Sequence, residues 1–333
     1  MLSRQQCTQL LGEERVYDIV KKLKAKNINQ ETTDRVLDYL ACHSQAFPFL
    51  DSKATEDRLI NNIQTNIVYQ DMLTFGRERY KQTKDLPGSV VSALTSGART
   101  SGQSIILKKD PLRFIKPKAL TEQRTDSIIR HELDHMATTT ISEPLSESET
   151  KSILKKNADA MAATLHADVN ELLAQDIDSA AKELAGQCKF VSGITGSTNN
   201  VFDFGNTALN EGVTAYKTKK LDQVADPDLK PKQSGYRINE KVATYMIQKV
   251  GEEKFLTMQA DNDFAGITTA FMEATEKTPE YMADFYKHLD IETGQEKTTL
   301  LDTLTRKVRN GLGLNVRHNN TLLQTINQEV ELN

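Results

Sequence analysis

The chemistry in this chain is concentrated in Ser127-Ile128-Ile129-Arg130-His131-Glu132-Leu133-Asp134-His135-Met136, which carries the pattern H-E-x-x-H and is the only place where two of the six histidines lie close together. Wound as a helix at about 100° per residue, His131, His135, Ile128 and Glu132 share one arc, which Met136, Ile129 and Leu133 continue, while Arg130 and Asp134 are left on the opposite side. The face expected to bury therefore holds two imidazoles and a carboxylate. Burying such groups is costly unless each finds a partner, and a metal ion satisfies two histidines one helical turn apart. Zinc accepts imidazole nitrogens at about 2.0–2.1 Å, which leaves Glu132 beside an open coordination position.

A catalytic zinc site with three protein ligands needs one more donor, and two histidines with a glutamate are an established set. The chain offers that glutamate in Ala208-Leu209-Asn210-Glu211-Gly212-Val213-Thr214-Ala215-Tyr216. Here the sequence resembles the gluzincin group of zinc metallopeptidases, in which a helix after the motif helix supplies a glutamate. The string Asn210-Glu211-Gly212-x-Thr214-x-Tyr216 is similar to the third-ligand segment of bacterial members of that group. The resemblance also takes in Tyr236, Val242-Ala243 and Val250-Gly251-Glu252-Glu253-Lys254-Phe255-Leu256, and covers about residues 88 to 262.

The resemblance implies His131, His135 and Glu211 as zinc ligands, Glu132 as general base, and a peptide or protein as substrate. In gluzincins an oxyanion is often stabilised by Tyr or His; Tyr236 is the expected donor, with Tyr216 and Tyr245 as the other candidates. Two departures stand out. A pattern E-x-x-x-D would place an aspartate at position 215, where the chain has Ala215, so the partner that orients a zinc histidine is expected elsewhere, at Asp134 or a backbone carbonyl. The span from His135 to Glu211 is also longer than in thermolysin-like or aminopeptidase-like members, which fits none of the familiar subfamilies.

A chain of 333 residues is long enough to bury a real core, as one large domain or two moderate ones. A net charge of −4, with no basic stripe interleaved with aromatics, argues against nucleic acid as a partner. No secretory signal and no apolar run of membrane-spanning length is seen, and Cys7, Cys42 and Cys188 are scattered and odd in number, so a reducing, cytoplasmic setting is the expectation, with export without a cleaved signal as the open alternative.

The fold around the motif reads as α+β, predominantly α-helical and zincin-like, with a small β-sheet before the metal-binding helix. Three regions are expected: an N-terminal helical region over 1–86, a catalytic core over 87–262 and a C-terminal helical lobe over 263–333. The first holds three helices by apolar spacing. One runs through Leu10 to Leu23, one follows a cap at Thr33, and a longer one passes through Leu59, Ile63, Ile67, Met72 and Phe75. Leu86-Pro87-Gly88 then breaks the pattern.

Val90 to Leu94 and Ser104 to Leu107 read as strands about a turn over Ser96 to Gly102, close enough to the motif helix for an edge strand to hold an extended peptide. After the motif, Glu147 to Gln187 reads as helical, with His166 as a surface or satisfied histidine, and Ser192 to Asn200 as a loop. The C-terminal third reads as helices after a turn at Asp261-Asn262-Asp263, with Arg306, Lys307 and Arg309 on a solvated face. Two other readings stay open: a zinc-stabilised binding or effector protein without significant turnover, and a helical protein whose motif is accidental.

Overall fold

In the computed structural model, residues 1–70, 98–101, 104–108, 122–142, 146–164, 189–192, 195–197, 207–228 and 237–292 are described, with isolated positions at 74, 77, 175, 177–179 and 181–182. Among the described residues, the N-terminal apolar spacing up to Asn62 is served by α1 (Arg4–Leu11), α2 (Glu13–Ala25), α3 (Gln30–Ala46) and α4 (Ser52–Asn62), so the expected first helix is two. Gly12 makes the extra break. Its φ of 89° and ψ of 149° lie in a region essentially closed to side-chain-bearing residues. Its N–H closes α1 on the Thr8 carbonyl at 2.9 Å while its own carbonyl starts α2. The cap of α3 is Asn29, whose side chain accepts the Thr32 N–H at 2.9 Å; Thr33, the expected cap, lies inside the helix.

The expected long third helix stops at Asn62. Ile63 is already extended, and after Ile67 the chain enters strand β1 (Val68–Gln70). Asn62 serves another element: its amide donates to the carbonyls of Met136 and Thr139 at 2.7 and 2.6 Å, satisfying acceptors at the end of the motif helix. Met72 and Phe75 lie outside the described residues.

Strands β2 (Ala98–Ser101) and β3 (Ser104–Lys108) join β1 in a sheet of order β1-β3-β2, with β1 parallel and β2 antiparallel to β3. The expected strand at Ser104 to Leu107 is present, with Ile105, Ile106 and Leu107 buried. Part of the expected turn, Ala98 to Ser101, is itself a strand, pairing with β3 up to Ser101 against Ser104. The expected strand at Val90 to Leu94 and the break at Leu86-Pro87-Gly88 lie outside the described residues.

The H-E-x-x-H motif lies on α5 (Glu122–Thr138), which leads directly into β4 (Thr139–Ser142). Strands β5 (Lys189–Ser192) and β6 (Thr195–Ser197) form a hairpin in a second sheet of order β4-β5-β6, so the stretch expected as a loop after Ser192 is partly strand. Further helices among the described residues are α6 (Glu147–Thr164), α7 (Thr207–Ala225), α8 (Arg237–Val250), α9 (Glu252–Ala260), α10 (Phe264–Thr275) and α11 (Pro279–Glu292). The described chain is thus predominantly helical, with small sheets, one of which contains a parallel strand pair.

Two compact units result, Met1–Thr139 with Lys217–Lys232, and Thr140–Tyr216 with Gln233–Asn333, and the continuous helix α7 contributes to each. In the first, α5 packs on α3 and α4. In the second, α8, α9 and α10 pack together around Phe255, Phe264, Phe271, Phe285 and Tyr286, all buried. Gly212 lets α7 approach α8 there, since a Cβ at that position would lie 2.1 Å from the Asn239 carbonyl oxygen.

Glu56 ties α2 to α4. Its buried carboxylate accepts from Arg15 Nε at 2.7 Å and meets Lys53 Nζ at 2.9 Å. Burial alone would raise its pKa, but Arg15 and Lys53 outweigh that and hold it below the ordinary value of 4.5. A carboxyl whose folded pKa is depressed adds stability that is present above the unfolded pKa and lost as pH falls through the folded one. Denaturation from about pH 5 to about pH 3 should therefore show falling stability, and Glu56→Gln should make that acid limb shallower while costing about 1–2 kcal/mol near neutrality. An acid limb of unchanged slope would remove Glu56 from the account.

Candidate metal centre

Helix α5 is buried almost all round. Ile129, Leu133 and Met136 are core, as their spacing requires, but Arg130 and Asp134 are more deeply buried than the histidines, at 3% and 0% exposed. This corrects the expectation that the two charged residues lie across from the buried face. They are buried because each has a partner of opposite charge. Arg130 donates through Nε to Asp38 on α3 at 2.9 Å and through Nη1 to Asp222 on α7 at 2.7 Å.

Asp134 Oδ1 meets Lys217 Nζ at 2.7 Å and accepts a hydrogen bond from the Tyr39 hydroxyl at 2.8 Å. Burial pulls the Asp134 pKa upward, but the Lys217 ammonium and the Tyr39 hydroxyl outweigh it and hold the carboxyl below its usual range. Lys217 itself is 1% exposed, with its ammonium 5.8 Å from the centre of the Phe47 ring. Nearby His43 is kept neutral, its pKa lowered to about 3 first by burial and then by Lys217.

These pairs set the register of α7 on α5. Ser127 and Arg130 meet Asp222, His131 meets Thr218 and Asp134 meets Lys217, so positions rise along one helix as they fall along the other, and the two run antiparallel. On α7, Thr218 and Asp222 follow Glu211 by two and three helical turns, to within about 20° of the same face. The helix that reaches Arg130 with Asp222 therefore carries Glu211 along the line of the histidines.

The ligand atoms of His131, His135 and Glu211 lie within 4.8 Å of one another, each residue half-buried. The two Nε2 atoms are 3.2 Å apart, and the rings meet at 85° with centroids 4.8 Å apart, so their edges converge. Two imidazole nitrogens at zinc distance on a tetrahedron are separated by about 3.3–3.4 Å, so the histidine pair already has nearly the spacing that the ion requires. Two neutral nitrogens and one carboxylate also suit zinc in kind. Glu132, 8% exposed, is the neighbour of His131 on the same helix.

Asp134, one of the expected orienting partners, is held by Lys217 and Tyr39. The side chain against the outer nitrogen of His131 is Thr218, with Oγ1 3.5 Å from Nδ1. Of the expected oxyanion donors, Tyr236 lies outside the described residues. Tyr216 donates to Glu252 Oε1 at 2.9 Å, and Tyr245 is buried against Phe271 with ring centroids 5.6 Å apart. His166, Cys188, Arg306, Lys307 and Arg309 also lie outside the described residues. Cys7 and Cys42 are buried free thiols, pushed up to about 11 and about 12 chiefly by burial.

Sequence reading missed Asp38, Lys217, Thr218 and Asp222. The spacing of Thr218 and Asp222 from Glu211 was the one available signal, since it places them on the face of the proposed ligand. No protein-family model, curated protein or solved structure matches the chain. Among the described residues, no helix is long and apolar enough to cross a membrane.

Removing the cation from a buried pair leaves its carboxylate uncompensated, so Lys217→Met should destabilise the chain by about 3–5 kcal/mol in chemical denaturation, with partial recovery on adding Asp134→Asn. Wild-type stability in Lys217→Met would show that Asp134 does not depend on that lysine.

Proposed function

We propose that the chain is a zinc-dependent metallopeptidase of gluzincin type, built on a zincin-like core, with His131, His135 and Glu211 as metal ligands and Glu132 as general base. The observation that supports this reading is the convergence of those three donors from two helices, with histidine nitrogens at 3.2 Å. A zinc ion held there would supply the Lewis acidity that makes water nucleophilic near neutral pH and polarises a carbonyl.

The chain's own residues divide the remaining work. His131 and His135 offer neutral nitrogens, and Glu211 brings one negative charge, so the donor set neutralises only half the charge of a divalent cation and leaves it electrophilic. Glu132 takes a proton from the attacking water on its carboxylate and passes it to the amide nitrogen as the peptide bond breaks. Substrate is a peptide or protein. The buried thiols of Cys7 and Cys42 fit the reducing cytoplasm proposed as its setting.

The purified chain should take up zinc in proportion one to one, and His131→Ala should abolish that uptake. Glu132→Gln should retain zinc while lowering cleavage of a mixed peptide library by about 10²–10⁴-fold. Zinc uptake by the wild type with no cleavage of any peptide would favour a zinc-stabilised binding protein. No zinc uptake would refute the site.

A further inference from the structure

We propose that Thr218 is a positioning residue of the metal centre, its hydroxyl accepting the Nδ1–H of His131 so that Nε2 of that ring faces the ligand group. This rests on the zinc reading above. A neutral imidazole carries one N–H, and the partner of one nitrogen decides which nitrogen is left to bind a metal. In His131, Nε2 lies 3.2 Å from Nε2 of His135, while Nδ1 lies 3.5 Å from Thr218 Oγ1. The second contact is at the outer limit of hydrogen-bond length.

The position of Thr218 is strongly determined. It is 6% exposed, and it lies beside Lys217 and four residues before Asp222, the two residues that pair with Asp134 and Arg130 of the motif helix. It also follows Glu211 by seven residues on the same continuous helix. One helix thus delivers both the third ligand and the partner of the first. Position 215, where an aspartate was expected to do this work, carries buried Ala215 and has no polar side-chain atom to offer. Thr218 meets the same need nearly one turn further along.

Thr218→Val removes the hydroxyl and keeps the shape, whereas Thr218→Ser keeps the hydroxyl and loses a methyl. Zinc affinity, measured by competition with a chromophoric chelator, should fall about 10–100-fold in Thr218→Val and by less than about threefold in Thr218→Ser. With zinc stripped by chelation, long-range ¹H–¹⁵N spectra should show His131 as the Nδ1–H tautomer in the wild type and as a mixture in Thr218→Val, a readout that altered packing alone would not move. Wild-type affinity in Thr218→Val, or equal losses in the valine and serine variants, would overturn the assignment while leaving the zinc site standing. A wild-type chain that binds no zinc would overturn both, and is told apart by that fact.

Discussion

Arg130 and Asp134 bring opposite charges into the interior on the same helix that carries the histidines, and neither can be buried there alone. Their neutralisation is the constraint from which the arrangement follows. Asp38 and Asp222 must reach Arg130, and Lys217 and Tyr39 must reach Asp134, before α5 can sit among α3, α4 and α7. Buried ion pairs add little net stability compared with apolar packing, but a wrong alignment that strands one charge is heavily penalised. Leu and Ile tolerate sliding; a guanidinium between two carboxylates does not.

Helix α7 is where that constraint meets a candidate metal donor. Its later half is committed by Lys217, Thr218 and Asp222, all against α5. Its earlier half carries Glu211 next to Gly212, where the backbone of α8 comes too close for any side chain. A residue chosen for its charge and a residue chosen for having no side chain are therefore neighbours for unrelated reasons, and the string Asn210-Glu211-Gly212 combines a donor with a packing requirement. Asn239, whose carbonyl crowds Gly212, also donates to the Ala208 carbonyl at 3.0 Å, which ties the start of α7 to α8.

The motif helix was legible in the sequence because it is a dense local signal, and the glutamate helix through the resemblance of Asn210 to Tyr216. H-E-x-x-H sets two histidines one turn apart, and the apolar spacing of Ile129, Leu133 and Met136 fixes which residues go inward. What could not be read was the destination of the charges. Arg130 and Asp134 were set apart from the burying face because a helical-wheel argument has no knowledge of residues about 90 positions away, and Asp38 and Asp222 are both that distant from Arg130. The N-terminal helices were found, but Gly12 and Asn29 were overlooked as punctuation, and the Ile63 to Ile67 spacing read as helix although the chain extends into β1. Strand β2 was hidden inside a stretch whose glycines suggested a turn, since pairing with β3 is a tertiary event.

Because Glu211 and Lys217 lie on one unbroken helix, that helix acts as a ruler whose length is part of the site. Each residue added to or removed from the six-residue interval would turn Glu211 by about 100° and shift it by about 1.5 Å relative to the fixed ion pairs. A substitution in the interval away from Gly212 leaves that turn and rise unchanged, whereas a change in its length does not. Among descendants of this sequence that keep the centre, the number of residues from Glu211 to Lys217 should therefore be more strictly inherited than most of the identities in between.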